Sequence, residues 1–233
     1  MSGSIIRPGT YGAAVVFETI PCQFLLHGDS LMDSSSYHHT LVLDYSAASS
    51  PNAPVVTSNQ QVLGVDSIYF DCKKSSQPAD DSSITITPIG SELDAGTGSF
   101  TIDFWVNRTN DFSAGYPNQG QLISGILNLV CSTGKITVLS PGSHTSVASV
   151  VDGAWHHVVW QRSGNTAKLL IDGVLDSSWT DSTSHDFSSL VLGTLNGIPG
   201  TFAFRGYLSE FRIIIGSAVF ADSYTPRTSQ YVY

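Results

Sequence analysis

Gly153-Ala154-Trp155-His156-His157-Val158-Val159-Trp160-Gln161-Arg162-Ser163-Gly164-Asn165-Thr166-Ala167-Lys168-Leu169-Leu170-Ile171-Asp172-Gly173 reads as two apolar runs joined by a Ser-Gly-Asn turn. Asp172-Gly173 supplies a second tight turn, because both residue types tolerate positive φ, so a third strand is predicted to fold back from Val174. Successive side chains of an extended run alternate between faces. His156, Val158 and Trp160 therefore share one face, and Trp155, His157 and Val159 the other. Aromatic and β-branched residues on both faces predict a strand with something packed on each side, the central strand of a β-sandwich.

Outward from this hairpin the chain continues in short alternating runs. Strands are predicted at Cys22–His27, His39–Tyr45, Gly64–Cys72, Ser83–Pro88 and Gly98–Arg108. Others follow at Gln121–Ser124, Leu127–Ser132, Lys135–Ser140, Ser189–Leu195 and Thr201–Ile214. Ala47–Asn59 reads as a Ser/Pro/Asn connection, Ser75–Asp81 and Asp111–Gln119 as loops, and Gly216–Tyr233 as loop plus a last extended segment. No stretch beyond about ten residues holds a helical period. The expected fold is all-β, a two-sheet antiparallel jelly-roll sandwich over residues 21–233. Residues 1–20 form an N-terminal arm punctuated by Gly, Ser and Pro, with a short strand at Ala14–Ile20.

A chain of 233 residues can bury one large core. Charged residues are 12% of it, against roughly 25% in average proteins, and Ser, Thr, Gly and Asn take their place. The formal net charge is −9 and there is no run of Lys or Arg. Phosphate neutralisation needs clustered basic residues, so nucleic acid and anionic membrane surfaces are excluded as partners. No apolar run approaches the ~20 residues that span a bilayer. The first residues lack the apolar core of a secretory signal, so none is expected. Cys22, Cys72 and Cys131 are odd in number and lack metal spacing, and read as buried thiols.

Several segments together resemble one family. They are Phe24-Leu25-Leu26-His27-Gly28-Asp29 with Asp33-Ser34-Ser35, Ser67-Ile68-Tyr69-Phe70-Asp71, and Gly98-Ser99-Phe100-Thr101-Ile102-Asp103-Phe104-Trp105-Val106. The hairpin from Trp155 to Gly173 and the closing run Gly206-Tyr207-Leu208-Ser209-Glu210-Phe211-Arg212-Ile213 complete the set. Over residues 22 to 230 the chain resembles the concanavalin A-like, laminin-G-like jelly-roll domain. The run from Ala218-Val219-Phe220 through Tyr224-Thr225-Pro226 is similar to the ending of such domains in tailed-bacteriophage structural proteins. The resemblance implies two curved antiparallel sheets. It leaves the ligand open, since this fold hosts lectins, glycosidases, adhesion modules and virion proteins.

Some relatives hydrolyse β-glucans with carboxylates alternating on one strand, and a glycosidase needs two carboxyls about 5–9 Å apart. Here one strand offers only Asp103 and another only Glu210, with no second acid at i+2. No Gly-x-Ser-x-Gly elbow is present, so no catalytic residue is assigned. His38-His39 and His156-His157 supply one side chain per strand face and read as packed or hydrogen-bonded rather than metal-ligating. Laminin-G-like domains often carry calcium, which makes Asp29, Asp33 and Asp71 weak candidate ligands, with Asp80 and Asp81 as further ones, but no metal site is assigned. The same residues also read as solvated acids, and no other cofactor is expected. Trp105, Trp155, Trp160 and Trp179 are candidates for stacking on sugar, although two or three of them are expected in the core. Arg108 and Arg162 read as partners of strand-end acids in exposed pairs, worth ~0–1 kcal/mol each.

The leading functional expectation is a non-enzymatic bacteriophage virion structural protein, a capsid decoration or tail/fibre-associated subunit on the virion surface. Its arm would clip to neighbours through Ile5, Ile6 and Tyr11, since extended arms bury area by strand addition. Partners would be its own copies, with a trimer as the first arrangement, and virion proteins such as the major capsid protein. The alternative is a carbohydrate-binding, lectin-like module recognising host-surface glycan.

Overall fold

The computed structural model describes residues 22–45, 53–71, 82–108, 119–130, 133–195 and 202–232. The expected arm with Ile5, Ile6 and Tyr11, the strand at Ala14–Ile20, Asp80, Asp81, Cys72 and Cys131 lie outside them. Among the described residues there is no helix, and seventeen strands follow in order. They are β1 (Phe24–Leu26), β2 (Thr40–Tyr45), β3 (Val55–Val62), β4 (Val65–Asp71), β5 (Ser82–Thr87), β6 (Asp94–Gly96), β7 (Phe100–Asn107) and β8 (Gln119–Ile123). Then come β9 (Leu127–Val130), β10 (Lys135–Val138), β11 (His144–Ser149), β12 (Trp155–Ser163), β13 (Thr166–Ile171), β14 (Val174–Thr180), β15 (His185–Asp186), β16 (Val191–Leu192) and β17 (Arg205–Ile215). One antiparallel sheet runs β14-β13-β12-β7-β17-β4-β3 with β1 also on β17, and the other runs β11-β10-β9-β8-β16-β5-β2. This is the two-sheet jelly-roll sandwich expected from the sequence.

The hairpin that decides the fold closes as its turns require. Val158 pairs with Ile171 and Ser163 with Thr166, and β14 folds back after Asp172 and Gly173, both at positive φ. β12 then runs antiparallel to β7 through eight consecutive pairs, from Trp155↔Asn107 to Arg162↔Phe100. Phe100, Ile102, Phe104 and Val106 turn inward with Val158, Trp160, Leu169 and Ile171. Ile84, Ile86, Leu127, Leu129, Ile136 and Val138 meet them from the second sheet. Each such side chain taken from water stabilises the fold by about 1.5–3 kcal/mol. Trp160 packs edge-on against Phe100, ring centroids 4.8 Å apart, at the centre of this layer.

Three expectations are corrected. Val55–Val62 is a strand inside the stretch read as a connection, and His144–Ser149 is a strand the sequence reading passed over. Both are edge strands with mostly exposed or half-buried polar residues, so neither carries the apolar alternation that marks a strand. Of the four tryptophans only Trp160 is fully buried, and Trp105, Trp155 and Trp179 are half-buried. Arg162 does reach a strand-end acid, Asp181 just past β14, but the pair is wholly buried rather than exposed. Its guanidinium donates to the carbonyls of Gly96, Gly98 and Thr183 at 2.6–2.9 Å, with Asp181 3.4 Å away. Cys22 is buried, as read.

The outer face of the eight-stranded sheet carries a strap, residues 217–232, that follows β17 back across it. Gln161 holds Phe220 by both its backbone groups, 2.7 and 3.0 Å. Thr101 accepts from Val219 N–H and donates to the Ser217 carbonyl. Tyr224 N–H donates to the Gly173 carbonyl at 2.9 Å. A side chain at Gly173 would collide with the Tyr224 carbonyl, so this crossing requires glycine. Val219 and Tyr231 complete a second small cluster with Cys22, Leu25 and Ile214.

Candidate binding face

The strap divides the outer face into a sealed end and an open end. At the sealed end β7 points Thr101 and Asp103 outward, in opposite phase to its core residues. Asp103 is wholly buried and accepts from Arg212 Nε at 2.8 Å and from the Tyr231 hydroxyl at 2.5 Å, with His157 Nε2 3.3 Å away. Burial pushes its carboxyl up, but the Arg212 charge and His157 outweigh that and hold it below the usual range. Arg212 in turn lies 3.6 Å from the centre of the Tyr231 ring. Glu210, at φ 52° where β17 bulges, is also wholly buried, against His27 Nδ1 (2.6 Å) and the backbone N–H of Tyr231 (2.9 Å). The two acids of the hydrolase reading are thus tied together by one tyrosine of the strap and turned to structure.

The calcium candidates do not converge. Both oxygens of Asp33 are engaged by its own loop: Oδ1 by the N–H groups of Leu25 and Ser35, and Oδ2 by Ser35 Oγ, His39 N–H and His39 Nδ1. Burial raises the Asp33 carboxyl, but the backbone donors prevail and keep it low. Asp29 is exposed and meets Gln230 Nε2, whereas Asp71 ends β4 beside Tyr69 and Arg205. No group of three or more His, Cys, Asp or Glu stands at metal-binding spacing among the described residues. His156 and His157 split by strand face as expected, whereas His38 and His39 precede β2 and His38 turns away at φ 52°. His39 is buried between Asp33 and Glu92 while His38 is exposed. His157 turns to Asp103, Tyr224 and Trp105, whereas His156 turns to Asp152 and Asp172. An open hollow of about 250 Å³ beside His39 is lined by Leu31, Met32, His38 and Leu41.

At the open end the outward residues of successive strands line up in one row. The register pairs Trp155 with Asn107, Asn107 with Tyr207, Tyr207 with Tyr69 and Tyr69 with Val55. Strands lie about 4.8 Å apart, so the row from Trp155 to Tyr69 spans roughly 14 Å. The rings of Tyr69 and Tyr207 are 4.8 Å apart and tilted by 35°. Trp105 stands on the neighbouring rung, opposite Ser209 and against His157. All four rings are half-exposed, and Val55 is 46% exposed at the end of the row. Polar groups frame them: Arg205 Nε donates to the Tyr69 hydroxyl, which donates to Asp71. Asn107 donates from Nδ2 to the Gly153 carbonyl at 2.8 Å, leaving its Oδ1 and the neighbouring Trp155 Nε1 without a partner among the described residues. Asn107 itself is buried.

Of the four tryptophan candidates the structure thus brings Trp105 and Trp155 to one surface. Trp160 lies in the core, and Trp179 stacks on His144 at 4.1 Å at the sandwich edge. Sequence reasoning passed over Tyr69, Tyr207 and Asn107. The phase of their strands was the available signal, since Ile68, Phe70 and Leu208 face the core and push these neighbours outward.

The architecture is a two-sheet jelly roll whose two outward acids are buried and whose aromatic row is half-exposed. Residues 78–216 match the profile of the concanavalin A-like lectin/glucanases superfamily, and the chain belongs to it. Among solved structures it is similar to the binding domain of Paraclostridial Mosquitocidal Protein 1, at 15% identity and a TM-score of 0.61, over 86% of this chain and 49% of that one. The receptor binding domain of botulinum neurotoxin D is similar at 13% identity and a TM-score of 0.57, over 86% and 50%. The chain therefore spans about half the length of these toxin domains. Domain 4 of AbnA, a GH43 extracellular arabinanase from Geobacillus stearothermophilus solved in complex with arabinotriose, is similar at 17% identity and a TM-score of 0.50, over 79% and 86%. At these identities the likeness is one of fold. No curated protein matches the sequence.

Proposed function

We propose that this domain is a non-catalytic binding module that takes a glycan along the row of Tyr69, Tyr207 and Trp155. The observation that carries this reading is the row itself, three half-exposed rings with the half-exposed Arg205 beside Tyr69. Flat aromatic faces cover the apolar faces of sugar rings, while the flanking groups hydrogen-bond hydroxyls. The likeness in fold to a domain solved with arabinotriose accords with it. A glycan microarray followed by titration calorimetry tests the reading. Trp155→Ala and Tyr207→Ala should each weaken the bound glycan at least tenfold, about 1.4 kcal/mol, and Trp179→Ala should leave it unchanged. Absence of any bound glycan, or equal effects of all three, would contradict it.

The setting we propose is the surface of a tailed-bacteriophage particle, as a capsid decoration or tail/fibre-associated subunit. The similarity of the Ala218–Pro226 run to the ending of phage domains supports this. There Ile5, Ile6 and Tyr11 would anchor the arm on neighbouring copies, in a trimer, or on the major capsid protein. Light scattering on the full chain and on one starting at Pro21 tests the arm: the expectation is a defined oligomer that becomes monomeric on truncation. Two monomers would remove the arm as an assembly device.

A further inference from the structure

Trp155 enters the aromatic row from the short loop that precedes β12, and that loop is held at three points. Gly153 N–H donates to the Arg108 carbonyl at 3.0 Å, and Asn107 Nδ2 donates to the Gly153 carbonyl, so two points belong to the end of β7. The third is His156. Its Nδ1 stands 2.7 Å from Asp172 Oδ2 and its Nε2 3.0 Å from Asp152 Oδ1. Asp152 Oδ1 also accepts from Ala154 N–H within the loop, and Asp172 Oδ1 accepts from His157 N–H. Each ring nitrogen therefore faces a carboxylate oxygen, and only an imidazolium has an N–H for both. Loss of the proton turns one nitrogen lone pair against a carboxylate and breaks one of the two bridges.

We infer that His156 is a positioning residue for the aromatic row, a protonation-dependent latch that fastens the Trp155 loop to the Asp172-Gly173 turn and makes ligand grip depend on pH. The inference rests on the glycan reading of that row. The latch also reaches the strap, because Gly173 accepts from Tyr224 N–H and Val174 bridges to Ser223. The charged and titratable groups around it are Asp152 on the loop, Asp172 on the turn, Arg108 at the end of β7, and His157 and Tyr224 behind Asp172. The hydrogen bond to Asp172 raises the imidazole most, burial opposes it, and Asp152 adds to the rise, which brings it to about 8 from an ordinary 6.5. A raised value means that the latch is fully closed below about 6.5 and opens as pH climbs through about 8.

The test uses the full chain and has two arms. Without ligand, NMR follows the His156 ring and the Trp155 indole across the histidine range. The indole resonance should titrate with His156 in the wild type, and should lose that step in His156→Gln. With the best glycan from the array, affinity should be constant at low pH and fall about tenfold above the midpoint, while His156→Gln should bind weakly and without a pH step. An indole that ignores His156 overturns the inference. Glycan binding that stays level across the step also overturns it, and leaves the glycan reading intact. An indole that tracks His156 in a chain that binds no glycan supports the latch and removes the glycan reading instead.

Discussion

Tyr231 joins two carboxylates that face outward from neighbouring strands, its hydroxyl donating to Asp103 and its backbone N–H to Glu210. Tyr231→Phe keeps the ring over Arg212 but leaves Asp103 short of a donor in a buried place. The cost should be about 1–3 kcal/mol, read from urea unfolding, with no effect on glycan affinity. Because the Asp103 carboxyl is held below its unfolded value, its contribution is present above about pH 4 and is lost as pH falls through the lower folded value. At this scale the sequence was legible wherever strand phase alone decides. Trp160 falls inward with Val158, whereas Trp155 and Trp105 fall outward. For Arg162 only an acid partner was legible, here Asp181; the carbonyls of residues 96, 98 and 183 that bury it were not, since backbone oxygens leave no mark on composition or spacing. Asp33 is the same case, an acid recruited by amides of its own loop.

Among the elements, the strap behaves as a structural part rather than a trailing end. It supplies the buried Tyr231 and the half-buried Val219 to the outer cluster, and a large apolar side chain fully buried is worth about 1.5–3 kcal/mol. A chain ending at Gly216 should therefore lose at least about 1.5 kcal/mol and expose the face around Leu25 and Ile214. The denaturant midpoint should fall and a dye for exposed apolar surface should bind; an unchanged midpoint would show that the sheet closes without it. The sequence marked residues 216–233 as loop and extended segment, but an irregular strip carries no period that names the face it covers. Edge strands β3 and β11 were illegible for a related reason: packed on one side at most, they need few apolar residues.

For the whole molecule, fold and site differ in how far the sequence reaches. Alternation and turn residues define the sandwich, because every central strand must satisfy the same two-residue period on a buried face. The binding row depends instead on register across four strands far apart in the chain, and no single strand contains it. Trp155 in the row and Trp105 on the rung beside it were legible as tryptophans, but Tyr69, Tyr207 and Asn107 became neighbours only through β4, β17 and β7. The most direct measurement is an NMR titration of the four indole N–H signals with glycan. Trp155 and Trp105 should shift in a saturable, concerted way while Trp160 and Trp179 stay fixed. Shifts confined to Trp179, or none at saturating glycan, would contradict the assignment of this row as the binding face.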